Sequence, residues 1–492
     1  MIRSLLLVLS LSLFLSSGLR SETDDPDLRD SLVQIRITNQ VPNFMYPWQT
    51  KKPYHFNAVG VVVDENKILT LASILEFYTS IEIKKNSSNQ FFTAIPLKVD
   101  FEANLAVLRI VEEQEFFRDL SPIDFHIKPE INESVSIVQM DGFGNLQDGK
   151  GRIVNLENEP YPAGHIEMPY YNINSNEKMI GNGELLTHKN KPVGLLYSFQ
   201  SSSNNGKAVP GFIIDQFLEN SVRKGSTFPY KGFKFKSILD TATREYYGIP
   251  EKYEGVIVSG ILPRTGASKV LKVNDIIVEF GKKKIDSQGY FQHSEYGKQP
   301  ITFLAHSGKE SGFTKGMKIP VKVIRNRKEM NLELPLHPFP SKSIKIPHKH
   351  NFNRFPNYTI RAGFLFTEFS EFLLREWGST WRSRVDKKLL YMVDYKKFHK
   401  KGEKGKILIL VQVLPDEANN GYHNLSMELV RLVNNENVTS IKELENKINN
   451  SSEEIVRIDL ENGTTLAIDK ATLKETDERI SKKFNIPKLT KY

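Results

Sequence analysis

Short apolar or alternating runs, separated by polar turns, fill the chain between Ser31 and Val222. They include residues 59–63, 81–83, 105–110 and 134–138. Apolar positions with a period of two, bounded by turn residues, are typical of half-buried β-strands. The spacing of the strands suits two antiparallel β-barrels, so we assign residues 29–222 to a mainly β domain.

A different pattern begins after this domain. It consists of GFKF at residues 232–235, a helical pattern near 241–247, and the run GVIVSGILPRTGASKVLKVNDIIVEF at 255–280. Strand-like runs combined with a short helix predict an α+β unit, which we assign to residues 228–337.

The same pattern occurs a second time. GFLF at residues 363–366 echoes GFKF, and VQVLPDEANNGY from Val411 echoes VSGILPRTGASK. A repeat of this kind indicates two copies of one unit. We assign residues 358–470 to a second, divergent copy, 338–357 to a basic linker and 471–492 to a C-terminal tail.

The amino-acid composition excludes several kinds of catalytic and metal-binding site. The 492 residues are 39% hydrophobic and include no cysteine, which excludes disulfides, thiolate catalysis and cysteine-ligated metal sites. The chain has no HExxH pattern, no P-loop and no dinucleotide fingerprint. His348 and His350 in IPHKH are interpreted as part of a solvated linker. We therefore expect neither a metal nor a cofactor.

The formal charge is +9, with basic and acidic residues interspersed over most of the length and local basic clusters at residues 282–284, 342–354 and 387–406. Such runs are usually solvated loops. The functional alternative is attraction to an anionic membrane surface or to acidic segments of other proteins. No nucleic-acid-binding motif accompanies the charge, so we expect no nucleic-acid partner.

The first 21 residues are typical of a signal peptide. Arg3 supplies positive charge, residues 5–15 are apolar, and Ser16, Ser17 and Gly18 are small residues suited to cleavage. The apolar run is shorter than the roughly 20 residues of a membrane-spanning helix. We expect a periplasmic or secreted protein, with an uncleaved signal anchor as the alternative.

Three motifs resemble those of the Deg/HtrA family of trypsin-like serine proteases. AVGVVVDENKILTLASIL (58–75), DFEANLAVL (100–108) and MIGNGE (179–184) are similar to the segments that carry the family's catalytic histidine, aspartate and serine. At these three positions the chain has Ser73, Asn104 and Gly181. The resemblance implies a double-barrel protease fold with a replaced catalytic triad.

Each replaced side chain had a different task. A serine hydroxyl attacks efficiently only when an imidazole accepts its proton and a carboxylate orients that imidazole. Ser73 is not a base near neutral pH, Asn104 carries no charge and Gly181 has no side chain. We therefore expect no proteolysis by the usual route.

The oxyanion turn is altered as well. Met179 and Asn182 stand where the family has glycines, and only Gly183 is kept. No G-x-S-G-G turn occurs elsewhere in the chain, which argues against a shifted alignment. A relocated site remains as an alternative; it would combine a histidine and a serine from His55, His126, His165, His188, Ser198, Ser201, Ser202 and Ser203.

Both repeated units resemble PDZ domains. In such domains a glycine-containing loop directs backbone N–H groups at a peptide's terminal carboxylate, and the peptide adds a strand to the sheet. The resemblance implies peptide binding at Lys231, Gly232, Phe233, Lys234 and Phe235, with Lys231 or Lys234 adding charge. The corresponding loop of the second unit contains Gly363, Phe364, Leu365 and Phe366.

The order of a protease domain and two PDZ domains resembles plant-type Deg proteases. This layout implies a homo-oligomer built on trimers, in which the early aromatic stretch at residues 45–48 packs on a neighbouring subunit or in an ordinary core. Two functions follow. We favour a catalytically inactive protein that binds C-termini or unfolded clients in cell-envelope quality control; the alternative is an active serine endopeptidase with rearranged catalytic residues.

Overall fold

The structure is a computed structural model that describes residues 28–86, 88–111, 115–219, 226–349 and 355–492. The expected signal peptide at residues 1–21 lies outside the described residues, as does His350. None of the helices in the described ranges combines the length and the apolar character needed to cross a membrane.

The first domain begins with a closed six-stranded barrel in the order β1-β2-β3-β6-β5-β4. Its strands are β1 Leu32–Asn39, β2 Tyr54–Asp64, β3 Lys67–Leu71, β4 Tyr78–Lys85, β5 Phe92–Asp100 and β6 Leu105–Ile110. β-branched and leucine side chains such as Ile35, Leu69 and Ile83 are fully buried inside it, as the period-two pattern predicts.

A second closed barrel follows in the order β10-β11-β12-β9-β8-β7. Its strands are β7 Ser134–Met140, β8 Leu146–Pro160, β9 Glu167–Asn174, β10 Leu185–His188, β11 Lys191–Gln200 and β12 Asn205–Pro210. Helix α1 (Gly211–Glu219) then packs Ile213, Ile214 and Phe217 against the barrels. The predicted double β-barrel is confirmed.

The third unit is an α+β sheet in the order β13-β14-β15-β19-β20, with β16 paired to β15 and a separate β17–β18 hairpin. Its strands are β13 Phe233–Ser237, β14 Val256–Ile261, β15 Ile276–Phe280, β16 Lys283–Lys284, β17 Tyr290–His293, β18 Gly297–Pro300, β19 Lys318–Arg325 and β20 Lys328–Pro335. Its helices are α2 Thr241–Tyr247, α3 Ala267–Val270 and α4 Ile301–His306.

The predicted helix near 241–247 is α2. Asp240 begins it by accepting the backbone N–H of Thr243, and Gly248 ends it in the left-handed conformation at φ 63°, as capping rules lead one to expect.

The last unit contains a seven-stranded sheet in the order β26-β25-β24-β23-β22-β21-β27. Its strands are β21 Tyr358–Arg361, β22 Phe364–Glu368, β23 Leu408–Val413, β24 Ser426–Val433, β25 Ile455–Leu460, β26 Thr465–Asp469 and β27 Thr490–Lys491. Its helices are α5 Glu371–Arg375, α6 Trp381–Arg384, α7 Lys387–Tyr395, α8 Ile441–Asn450 and α9 Lys470–Lys483.

The expected C-terminal tail is therefore part of this unit. Helix α9 buries Leu473 and Ile480 against the sheet, and β27 pairs with β21. The long polar stretch 470–483 concealed this, because only a few of its positions face the core. The linker is also less solvated than expected, since His348 is buried and its ring packs edge-on against His165, 5.2 Å between centroids.

The first barrel and the last unit share one hydrophobic cluster. Phe44 and Phe77 of the barrel are buried in the same cluster as Tyr358 and Leu374. The Phe44 ring lies 5.4 Å from that of Phe372. Trp48 of the early aromatic stretch packs on the same C-terminal unit, with its ring 6.4 Å from that of Tyr358.

Candidate functional site

Ser73 and Asn104, which stand where the family has its catalytic histidine and aspartate, are in direct contact. β3 ends at Leu71, and Ser73 begins a single 3₁₀ turn, Ser73–Leu75. Asn104 lies fully buried just before β6, and its side-chain Oδ1 accepts the backbone N–H of Ser73 at 2.9 Å. Its backbone carbonyl accepts the N–H of Ala72 at 3.0 Å. The sequence-derived pair is thus brought together by the fold.

This contact positions backbone and supplies no acid–base chemistry. Asn104 is held at φ 54°, an uncommon conformation for a residue with a side chain. Its Nδ2 is buried and has no hydrogen-bond partner among the described residues. An uncharged amide stabilises a protonated base far less than a carboxylate does, and Ser73 is no such base. Asn104 thus still bonds to position 73 but lacks the negative charge of an aspartate.

The only carboxylates of this loop serve other purposes. Asp100 is buried, and its Oδ2 accepts the backbone N–H of Thr227 at 2.7 Å. Burial raises the pKa of Asp100, with the Thr227 N–H acting in the opposite direction. Glu102 accepts the backbone N–H groups of His165 and Ile166. Both side chains therefore hold neighbouring segments in place.

Gly181, at the expected nucleophile position, lies in the turn before β10. It has φ +86°, and a Cβ added to it would lie 2.5 Å from the Cα of Ser198 and 2.7 Å from the Ser198 nitrogen. Real Cβ atoms do not approach backbone atoms so closely. The turn packs so closely against β11 that only glycine fits at position 181.

The amides of this turn are already bonded to an anion supplied by the chain. The carboxylate of Glu184, a nearly fully buried residue, accepts three backbone N–H groups: Ile180 and Gly181 at 2.9 Å to Oε1, and Asn182 at 2.7 Å to Oε2. Consecutive N–H groups that point into one concavity form an anion-binding nest. Here the nest is filled by a side chain two to four residues further along the chain.

Sequence reasoning missed this role of Glu184. It stands where the family motif has proline, so the signal was a carboxylate placed directly after a glycine-containing turn. The consequence is chemical, because N–H donors bonded to Glu184 are unavailable to a developing oxyanion. Gly183, the one retained glycine, has φ +98°, and a Cβ there would lie 2.8 Å from the Val59 carbonyl oxygen.

The turn is also fixed to the first barrel. Asn182 Nδ2 donates to the carbonyl of Asn57 at 3.1 Å, and the Asn182 carbonyl accepts the N–H of Val59 at 3.0 Å. A cavity of about 200 Å³ lies beside these contacts, between β2 and the end of β7. Met179 is buried with core residues of the second barrel, and its Cε lies 3.2 Å from the place where a Cβ on Gly149 would lie. The altered oxyanion turn is thus locked on both sides.

The histidines considered for a relocated site have partners other than serine hydroxyls. His55 contacts Thr38 Oγ1 at 2.8 Å, His126 lies 3.2 Å from Asp215, and His188 contacts the Ser134 carbonyl at 2.9 Å. Among the hydrogen bonds of the described residues, none joins these rings to the side chain of Ser198 or of residues 201–203.

His165 needs separate mention because it forms a His–carboxylate pair. Its Nδ1 lies 2.9 Å from Glu102 Oε1, and its Nε2 is buried without a hydrogen-bond partner in the described chain. The ring stacks on Phe339 at 4.5 Å between centroids. A catalytic base would direct Nε2 at a nucleophile, whereas this imidazole is enclosed by the rings of Phe339 and His348.

The predicted carboxylate-binding loop of the first PDZ unit is largely occupied. The N–H of Tyr230 donates to the His337 carbonyl at 2.8 Å, and the N–H of Lys231 donates to Nε2 of the buried His306 at 3.1 Å. The Lys231 ammonium is itself buried, 3.5 Å from Glu167 Oε2 on β9. Lys231 therefore joins this unit to the second barrel and is not the exposed cation expected from the sequence.

The strand that follows this loop is exposed. β13 pairs with β14 on one side, and in the described part of the chain no strand pairs with its other edge. Gly232 and Phe233 are buried, Phe235 is partly exposed, and Lys234 and Lys236 are exposed. The ammonium of Lys234 lies 6.0 Å from the centre of the Phe398 ring. The backbone available to a ligand thus begins at Lys234.

The corresponding loop of the second PDZ unit is closed. Phe364, Leu365 and Phe366 are fully buried in β22, which pairs with β23 on one side and with β21 on the other. Gly363 has φ +83°, and its carbonyl accepts the N–H of Leu414 at 2.8 Å. The expectation of a peptide-binding loop at these residues is corrected, because the chain's own β21 takes the edge that a peptide would use.

Charged side chains hold β21 in this position. Arg361 donates through Nε to Glu445 of α8 at 2.9 Å and through Nη1 to Asp477 of α9 at 2.9 Å. Both acidic side chains are buried, and the Asp477 carboxylate also accepts the Ala362 N–H. β21 is thus anchored to two helices as well as to β22.

Comparison with known proteins places these features in context. Residues 346–490 match a family model described as a PDZ domain. The chain is 24% identical over 471 residues to "Protease Do-like 2, chloroplastic" of Arabidopsis thaliana, covering 94% of this chain and 75% of the relative. It is 24% identical over 465 residues to "Putative protease Do-like 13" of the same plant, covering 93% and 88%.

The solved structure titled "HtrA-type protease AlgW with decapeptide" superposes with a TM-score of 0.47 and 17% identity. The superposition covers 64% of this chain and 98% of that chain.

Proposed function

Because the chain belongs to the Deg/HtrA family of trypsin-like proteases with PDZ domains, we propose that it is a catalytically inactive member that acts by binding other polypeptides. Its ligands are C-termini or unfolded segments of client proteins. Its role is that of a chaperone, a scaffold or a regulator of protein quality control.

The contact between Glu184 and the turn amides carries the proposal of inactivity. Acyl transfer needs backbone donors that are free to stabilise the negative oxygen of the tetrahedral intermediate, a contribution of about 3–4 kcal/mol for one donor. Here the N–H of Gly181, at the nucleophile position, is bonded to a buried carboxylate, as are those of its neighbours Ile180 and Asn182. A carboxylate in this position also repels a second negative charge.

The state of the triad positions supports the same conclusion independently. Asn104 bonds to the Ser73 backbone and provides no charge for an imidazole. Gly181 is packed against the Ser198 backbone where a nucleophile would have to stand. Nucleophile, base and oxyanion donors are therefore all affected, and no single replacement repairs the site.

The free edge of β13 supports the proposal of client binding. An exposed strand edge offers unpaired N–H and C=O groups to which an extended peptide can add as a further strand. The second PDZ unit lacks such an edge at β22. Client binding is therefore assigned to the first PDZ unit, at Lys234 and the residues that follow it in β13.

The alternative is an active serine endopeptidase, which the names of the Arabidopsis relatives favour. The two functions are separated by incubating purified wild-type protein with fluorescently labelled casein, with and without a serine-directed phosphonate. We expect no phosphonate-sensitive cleavage and, in the same sample, a rise in casein anisotropy on binding. Cleavage abolished by the phosphonate would establish the alternative.

The binding mode has its own test on the ligand side. A casein-derived decapeptide is made in two forms, N-methylated at odd or at even positions, so that each loses one of its two hydrogen-bonding edges. Strand addition to β13 uses a single edge, so one form should bind much more weakly than the other. Equal weakening would contradict strand addition.

Cellular location and assembly are part of the proposal. A periplasmic or secreted location rests on the N-terminal pattern, while the relative Protease Do-like 2 is named chloroplastic. Fractionation of cells expressing the tagged full chain decides between these locations. A trimer-based homo-oligomer rests on the family resemblance, and light scattering of the purified chain tests it. Membrane-surface association is tested by flotation with anionic vesicles.

A further inference from the structure

Members of the PDZ class are expected to hold a terminal carboxylate with the amides of the loop before the binding strand. In this chain the predicted loop begins at Lys231, whose N–H is used internally, as is that of the preceding Tyr230. The Lys231 N–H donates to a side chain, His306 Nε2. Whether this amide is occupied therefore depends on the residue at position 306.

His306 is fixed as a hydrogen-bond acceptor toward the loop. Its Nδ1 lies 2.7 Å from the backbone carbonyl of Glu167 and must donate to it, which leaves Nε2 to accept the Lys231 N–H. The ring, at the end of α4, is fully buried against β9. Burial, with the nearby Lys231 charge, lowers the pKa of His306 to about 3, so the imidazole stays neutral at physiological pH.

The charge of Lys231 is also committed, whereas the second lysine of the loop, Lys234, is exposed. The Lys231 ammonium faces Glu167 Oε2 inside the contact between the first PDZ unit and the second barrel. A carboxylate brought to this position would meet the Glu167 carboxylate and a neutral imidazole. Neither group attracts an anion.

Space is restricted at the same place. Gly232 has φ +79°, and a Cβ on it would lie 2.6 Å from Thr265 Oγ1. Lys231, Gly232 and Phe233 are all buried, whereas Lys234 and Lys236 are exposed. The part of β13 open to a partner therefore starts after the carboxylate loop.

We propose, building on the client binding inferred above, that the first PDZ unit takes internal extended segments of unfolded polypeptides and has no requirement for a free C-terminal carboxylate. Recognition is by backbone pairing along Lys234–Ser237. His306 is the residue that determines this specificity, because it occupies the amide that would otherwise receive the carboxylate.

The test uses the full-length protein and casein-derived decapeptides, each synthesised as the free acid and as the C-terminal amide. Fluorescence anisotropy gives the dissociation constant of each form. We expect the two forms of one sequence to bind within about twofold of each other, since no terminal charge is read. A larger preference for the free acid would overturn the inference while leaving client binding intact.

Further outcomes separate this inference from the proposed function. Binding of whole casein with no binding of any decapeptide would overturn the inference alone. Loss of both whole-casein and decapeptide binding would overturn the proposed function.

A variant tests the role of His306 directly. His306→Ala frees the Lys231 N–H, so the free acid should gain over the amide by about threefold or more. The control is His337→Ala, which removes an imidazole but keeps the backbone carbonyl that bonds to Tyr230. If His306→Ala fails to fold, His306→Leu, which fills more of the space of the ring but offers no hydrogen-bond acceptor, gives the same comparison. An unchanged ratio in a folded His306 variant would remove His306 from the argument and contradict its assigned role.

Discussion

Gly181 packs directly on the backbone of Ser198, so that a Cβ at position 181 would lie 2.5 Å from the Ser198 Cα. The residue at the former nucleophile position is therefore also the residue on which the packing of the turn against β11 depends. A serine at this position would therefore require the turn to move away from β11.

Gly181→Ser should destabilise the protein by about 1–3 kcal/mol, because the new side chain combines a positive φ with a backbone clash. The measurement is the free energy of local opening of β10 and β11 from hydrogen exchange. Gly142→Ser is the matched control, since no atom lies within 4 Å of a Cβ at that glycine. Equal effects of the two substitutions would contradict the packing argument.

Restoring the triad residues should not restore proteolysis. The triple variant Ser73→His, Asn104→Asp, Gly181→Ser still has its turn amides bonded to Glu184, and Met179 and Asn182 remain in the turn. We expect hydrolysis of labelled casein to stay at the wild-type level. Robust, phosphonate-sensitive turnover by this variant would show that the turn can rearrange.

Glu184→Gln should weaken the turn by about 1–3 kcal/mol, because charge-assisted bonds to three N–H groups are replaced by those of a neutral amide. Hydrogen exchange of the amides of Ile180, Gly181 and Asn182 reports the change. Glu177→Gln is the control, since the exposed Glu177 carboxylate accepts one backbone N–H, that of Lys150. Unchanged protection of the three amides in Glu184→Gln would refute the anion-nest interpretation.

A pH dependence follows from Glu76, which lies just after the Ser73 turn. Burial raises its pKa from 4.5 to about 7, and the charges of Arg375 and Lys349 act in the opposite direction. Between these two values the folded chain keeps a proton that the unfolded chain has released. The free energy of unfolding therefore falls as pH rises through this window and is constant above it.

Glu76→Gln is neutral at every pH and removes this effect. The variant should match the wild type in stability near pH 4.5, the ordinary pKa of the carboxyl group. Near pH 8 it should be more stable by about 1–3 kcal/mol, after allowance for partial solvent exposure. Urea unfolding at the two pH values measures the difference. The exposed Glu65→Gln on the β2–β3 turn should show no such trend, and a pH-independent Glu76→Gln effect would contradict the assignment.

The anchoring of β21 gives a further prediction. Arg361→Met leaves the buried Glu445 and Asp477 without their cation and should cost about 3–5 kcal/mol. Arg431→Met is the control, because Arg431 is exposed and 3.9 Å from Asp459, a geometry worth about 0–1 kcal/mol. Hydrogen exchange in β21 and β22 should rise only in the first variant. Equal protection in both variants would mean that strand pairing alone holds β21.

The sequence predicted the parts of the fold that depend on local pattern. Period-two runs predicted both barrels, and a helical pattern predicted α2. The motifs aligned Ser73 and Asn104 with two positions of one site, and the Ser73 nitrogen lies 2.9 Å from Asn104 Oδ1. These features depend on a few neighbouring residues or on short motifs. They are therefore visible in a single chain.

What the sequence did not predict depends on contacts between distant segments. GFLF looked like an open loop because the strand that covers it, β21, is short and carries no motif. The burial of Lys231 depends on Glu167 and His306, 64 and 75 residues away. Glu184 was visible as a departure from the family motif, but its bonds to the turn amides depend on a backbone path that residue type alone does not specify.

Phe44 and Phe77 belong to the first barrel, yet both lie in a cluster with Tyr358 and Leu374 of the C-terminal unit. During synthesis these two rings leave the ribosome long before the residues that cover them exist. The barrel of a nascent chain therefore presents an apolar face to the cell until translation is almost complete. Prematurely terminated chains should keep that face exposed and become substrates for the cell's own chaperones and degradation machinery.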